Sequence, residues 1–121
     1  MNRTEEIELL EQLEQWNSKD EYSQCIQAIE AIPEQERGYL LTVKLSRAYS
    51  NLAVLGDHGV HGTDGEVDGD LIRHAIDLLE SVRTQGENDP YWNSRMGYSC
   101  LMAYRSAATA YEYAKCWLAL A

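Results

Sequence analysis

Leu71, Ile72, Ala75, Ile76, Leu78, Leu79 and Val82 recur at three- and four-residue steps, the period of one buried helix face. Gly86 and Asn88 break the pattern and Asp89-Pro90 restarts it. Asp is a good N-cap, and proline suits the first helical position because no backbone donor is needed there. Trp92, Met96 and Gly97 follow on the next helix. Earlier in the chain, Ile7, Leu10, Leu13 and Trp16 form the stripe of a helix over 4–17, with Glu5, Glu6, Glu8 and Glu11 where the helix dipole favours negative charge. Ser18-Lys19-Asp20-Glu21 has the spacing of a capping box and opens a second helix with Tyr22, Cys25, Ile26, Ile29 and Ile32 inward. Pro33 biases Ile32 out of helical geometry and ends it. A third helix is predicted over 34–55, with Leu41, Leu45, Ala48, Tyr49 and Leu52 on one face and Gly56 at its end. The segment 56–69, GDHGVHGTDGEVDG, has five glycines and no periodicity; helix there would cost about 1 kcal/mol per glycine, so it reads as a loop. From about Ser106 a sixth helix, apolar around most of its circumference, is predicted to the chain end.

The pattern is therefore all-α, and a chain of 121 residues is long enough to bury a core as one domain. Charge sharpens the picture. A formal net charge of −10 disfavours nucleic acid and anionic membrane surfaces. Residues 1–90 carry 19 acidic and 7 basic side chains, whereas 91–121 carry Glu112 against Arg95, Arg105 and Lys115 and hold seven of the eleven aromatics. That final quarter reads either as a packed repeat or as a contact surface for another chain. The three cysteines, Cys25, Cys100 and Cys116, match no zinc spacing and fall on predicted helices as small apolar residues. No apolar signal core precedes Glu14, and no run approaches the roughly 20 residues of a membrane span. A cytoplasmic protein is expected.

Two segments repeat. CIQAIEAI at 25–32 lies on AIDLLESV at 75–82, an offset of 50, and KLS at 44–46 lies on RMG at 95–97, an offset of 51. Without about a dozen loop residues the unit falls in the high thirties, near the 34 of tetratricopeptide (TPR) repeats. The chain resembles a short TPR-like protein of about three hairpins. Leu45, Ser46 and Tyr49 stand where that family has large, small and aromatic residues, and Ala75 and Leu79 where its second helix has small then large. Met96, Gly97 and Tyr113 match in the third hairpin, and Asp89-Pro90 resembles the family's proline turn. Thr42 lies where Trp is usual, Trp92 comes one place early, Thr109 or Ala110 must serve as the last small residue, and no closing proline or cap helix follows. Sel1-like repeats, slightly longer, are a near alternative.

The resemblance implies an antiparallel stack of helical hairpins, a short TPR-like α-solenoid with right-handed superhelical tendency. It also implies a groove built by the first helix of each hairpin. Val43, Arg47, Ser50 and Asn51 would face it from one helix and Ser94, Tyr98, Leu101 and Met102 from the next. Arg47 and Tyr98 are the residue types that most often anchor binding. The expected function is a non-catalytic adaptor holding a peptide or protein partner. One alternative is a self-assembling homodimer through Tyr111, Ala114, Trp117 and Leu118 of the last helix. Another is a Ca²⁺-responsive protein, because Asp64, Glu66 and Asp68 alternate as oxygen ligands before a helix. Position twelve of such a loop would be Ala75 rather than the required Glu, so a solvated acidic loop is the simpler reading. His58 and His61, with Asp57 and Asp64 nearby, lack preorganisation for a transition metal, and His74 reads as a surface or boundary residue. No nucleophile elbow, phosphate loop or paired-carboxylate motif is present. No cofactor or enzymatic activity is expected.

Overall fold

The computed structural model describes residues 1–59 and 67–105. These form helices α1 (Arg3–Ser18), α2 (Tyr22–Glu30), α3 (Gly38–Leu55), α4 (Gly69–Ser81), a single turn α5 (Arg83–Gly86) and α6 (Pro90–Arg105), with no strand among the described residues. The sixth predicted helix, with Tyr111, Ala114, Trp117 and Leu118, lies outside the described residues, as do Asp64 and Glu66.

Successive helices pack on one another: α1 on α2, α2 on α3, α3 on α4 and α4 on α6. Helix α3 also touches α6, so it is covered on two sides. Two apolar clusters result. Leu13, Cys25, Ile26, Ile29, Leu41, Leu45 and Ala48 form the first. Val43, Ala53, Ile72, Ile76, Leu79, Trp92, Met96 and Cys100 belong to the second. Helix α3 is the wall between them. Its approach to α4 is close because small residues meet: Ser46 Oγ donates to the Ala75 carbonyl at 2.7 Å in full burial.

The two aligned segments also match in burial. Buried, half-buried and exposed positions coincide at all twelve places when 21–32 is laid on 71–82. Tyr22, Cys25, Ile26 and Ile29 take the buried places of α2, and Ile72, Ala75, Ile76 and Leu79 take those of α4. Both stripes follow the i, i+3, i+4, i+7 rule, and both helices lie against α3.

Four local expectations change. Ser18 does not cap α2; its hydroxyl donates back to Gln15 O at 2.8 Å, inside α1. Asp20 adopts φ +58, and the Glu21 amide bonds Trp16 O at 2.9 Å. The chain turns there in the left-handed manner that closes helix C-termini. The third helix begins at Gly38 rather than residue 34, because Gly38 sits at φ +71 after a 3₁₀ turn over Glu34–Glu36. Glycine adopts that conformation without a Cβ penalty. Finally, α1 is an edge helix: Leu13 is its one buried residue, and Ile7 is 47% exposed. Cys25 is a buried free thiol whose pKa burial pushes up, whereas Cys100 is disulfide-bonded rather than a free apolar thiol.

Another amide at the start of α2 is satisfied from far along the chain. Asp57 Oδ1 accepts the Ser23 amide at 2.9 Å, and the His58 amide donates to Asp20 O at 2.8 Å. The turn after α3 thus caps α2 and ties the first hairpin to the second. Burial works to raise the Asp57 carboxyl, but the hydrogen bonds from Ser23 and the Tyr22 amide outweigh it and hold its pKa below the usual carboxylate value. A depressed folded pKa gives stability that is full above the unfolded value near 4 and is lost as pH falls through the folded one. Asp57→Ala is expected to cost about 1 kcal/mol at neutral pH. Urea titrations at pH 7 and pH 3 read this directly: the difference between wild type and variant should shrink in acid, and an equal difference at both would refute the cap.

Candidate functional site

Helices α1, α3 and α6 bring one polar cluster together. Glu14 Oε1 accepts from Lys44 Nζ at 3.0 Å and from Arg47 Nη1 at 2.9 Å. Arg95 Nη2 donates to Ser50 Oγ at 2.6 Å and to Asn51 Oδ1 at 3.3 Å. Asn51 Nδ2 in turn donates to Asn17 Oδ1 at 3.2 Å. The Arg95 guanidinium lies 4.7 Å from the centre of the Tyr98 ring, and Lys44 Nζ 4.9 Å from that of Tyr91. Both geometries lie within cation–π range.

The cluster is positively charged in an acidic protein: among the described residues Lys44 and Arg47 share the carboxylate of Glu14, and Arg95, close to Arg47, is hydrogen-bonded to neutral groups alone. Arg47 is only 8% exposed. Burial lowers the pKa of Arg95, although an arginine remains charged at any physiological pH. Burial also works to raise the Glu14 carboxyl, but the hydrogen bond from Lys44 and the field and hydrogen bond of Arg47 hold it below its ordinary value. The Nε atoms of Arg47 and Arg95 are buried without a hydrogen-bond partner among the described residues. Unpaired donors of this kind carry a desolvation penalty.

The residues expected to face an open groove divide here. Val43 and Ser50 are fully buried. Val43 belongs to the second apolar cluster, and Ser50 Oγ both donates to Arg47 O and accepts from Arg95. The reason is that α3 has covered faces on both sides, so this side of it is an interior wall. Arg47 and Asn51 belong to the polar cluster, and half-buried Tyr98 lies against Arg95, where burial raises its phenol pKa. Ser94 is exposed and its hydroxyl donates to Tyr91 O in its own helix. Leu101 and Met102 are half-buried, and Met102 packs against the second cluster. The sequence reading passed over Glu14, Asn17, Lys44 and Arg95. Its own alignment of KLS on RMG had already placed Lys44 and Arg95 at equivalent positions.

Of the metal candidates, Asp68, His58 and His74 lie among the described residues. Asp68 serves as the N-cap of α4, its Oδ1 accepting the amides of Asp70 and Leu71 at 3.1 Å. His58 is exposed in the turn that binds Asp20, and His74 meets Tyr49 edge-on at 4.4 Å between ring centres. No group of three or more metal-ligating side chains comes together among the described residues, and no described helix is long and apolar enough to cross a membrane. A cavity of about 470 Å³ lies away from the cation cluster, between the start of α3 (Tyr39, Thr42) and the end of α4 (Ser81, Val82). No protein-family profile, curated protein or solved structure matches this chain.

Proposed function

We propose that the protein is a non-catalytic, TPR-like interaction module that binds an acidic segment of a partner protein on the face shared by α1, α3 and α6. The observation that carries this reading is the gathering of three cations, Lys44, Arg47 and Arg95, of which only Lys44 and Arg47 are answered by a carboxylate among the described residues. Excess buried positive charge is unfavourable unless answered, and an acidic side chain or chain terminus is the chemistry that answers it. Guanidinium groups suit carboxylates because their donors match the two oxygens. The repeat-like arrangement is supported by the matched burial of 21–32 and 71–82 and by the order in which the helices pack. Catalysis is not part of the proposal, since the cluster pairs no nucleophile with a base.

A net charge of −10 repels an acidic ligand at long range, so affinity for one must come from a local cluster. The test is titration of fluorescein-labelled hexaglutamate against the wild type and the Lys44→Gln/Arg95→Gln double variant. Circular dichroism checks that helicity is retained. Binding to the wild type, weakened about tenfold or more in the variant, is expected. Absence of binding to the wild type, or equal binding to both proteins, would sink the proposal.

A further inference from the structure

We infer that Glu14 is a resident competitor for the cation cluster, a carboxylate of the protein's own that an incoming acidic ligand must displace. The inference rests on the acidic-segment reading above and specifies how that site is regulated. One oxygen, Glu14 Oε1, takes both Lys44 and Arg47. The exposures of the partners are unequal: the Glu14 side chain is 53% exposed, against 17% for Lys44 and 10% for Arg47. The carboxylate can therefore swing into water with little change in its solvation. The two cations cannot follow it and would be left buried and unanswered. Only a second anion makes the exchange favourable.

The surroundings are built for such an exchange. Glu14 follows Leu13, the single buried residue of α1, so the side chain projects from a helix held to its neighbours by few contacts. Arg95 lies beside Arg47 with Ser50 and Asn51 between them. Its hydrogen bonds are to neutral groups, and the buried Nε atoms of both arginines lack a partner among the described residues. A ligand with two or more carboxylates would answer Lys44 and Arg47 with one and the Arg95 guanidinium, which Glu14 leaves with neutral partners, with another, and would gain over Glu14 by that margin. A ligand with one would merely replace it. The cluster thus discriminates by the number of carboxylates presented, and affinity for weakly acidic segments is held down by the occupant already in place.

The test uses the full chain and labelled hexaglutamate. Glu14→Gln removes the competing charge and is expected to bind the peptide about tenfold more tightly. In the wild type, the Glu14 carboxyl pKa, followed by NMR, should rise toward its ordinary value when peptide is bound, because Lys44 and Arg47 have been taken from it. This second readout needs no variant and stands even if Glu14→Gln folds poorly. Peptide binding with no change in the Glu14 pKa overturns the inference and leaves the acidic-segment reading intact, as does unchanged or weaker binding by folded Glu14→Gln. Absence of binding by both proteins overturns the acidic-segment reading, and the inference with it.

Discussion

Gly86→Ala is expected to destabilise the protein by about 1–3 kcal/mol, a fall in melting temperature of about 3–5 °C for each kcal/mol. A Cβ at this position would lie 2.3 Å from Cγ and Cδ1 of Trp92 and 2.5 Å from its Nε1. Those atoms are not the tip of a flexible chain. Trp92 is 1% exposed, and its Nε1 donates to Leu79 O at 3.0 Å, so the ring is pinned at the junction of α4, α5 and α6. Arg83 lies over the same ring at 5.1 Å. Either the indole leaves its hydrogen bond or the α5 turn moves away from the core. The two residues are therefore coupled. Trp92→Leu alone should cost about 3 kcal/mol through lost burial and the orphaned junction. In that background Gly86→Ala should cost much less than it does alone. Thermal melts of the four proteins of this cycle check it, and additivity within about 0.5 kcal/mol would refute the contact.

That contact shows where the sequence stops being readable. Gly86 reads as a helix breaker, which is a local property. Its close approach to Trp92 is a tertiary one, and nothing in the neighbouring residues announces it. The stripes of α2 and α4 were legible because apolar residues at helical spacing declare a buried face directly. Helix α3 was half legible. Leu41, Leu45 and Ala48 marked one face, but the opposite face carries Ser46, Arg47 and Ser50, all buried. Polar residues do not register as hydrophobic periodicity, so the second covered side stayed hidden. The capping box at Ser18 failed for a related reason. A left-handed turn at Asp20 gives the Glu21 amide to Trp16 O, and α2 is capped instead by Asp57, 34 residues beyond Ser23. At the candidate site, Arg47, Asn51 and Tyr98 were reached through the expected helix face. Glu14 and Asn17 were not, because a pairing across three helices has no sequence period. Lys44 and Arg95 could have been found from the repeat itself, had the charged residue of the aligned triplet been weighed alongside the large and small ones.

Because α3 is the common wall of both clusters, damage on either side of it should be felt throughout. Ile29 of α2 and Leu79 of α4 fall on the same place of the two aligned segments, each 0% exposed, and they lie in different clusters. Truncating either to alanine is expected to cost about 2–5 kcal/mol. That is a large part of the roughly 5–15 kcal/mol that stabilises a domain of this size, so the double variant should be substantially unfolded at 25 °C. The informative question is where each single variant loosens the fold. Leu78 of α4 packs on the first cluster, and Ser46 bonds Ala75 across the α3–α4 contact. The two hairpins therefore share side chains as well as a boundary. Ile29→Ala should speed amide hydrogen exchange in α4 as well as in α2, and Leu79→Ala should do the reverse, with one cooperative urea transition in each case. Faster exchange confined to the mutated hairpin would mean that the hairpins open independently. The face shared by α1, α3 and α6 would then be assembled by binding, since the helices that carry Glu14 and Arg95 would be held in place only by separate halves of the fold.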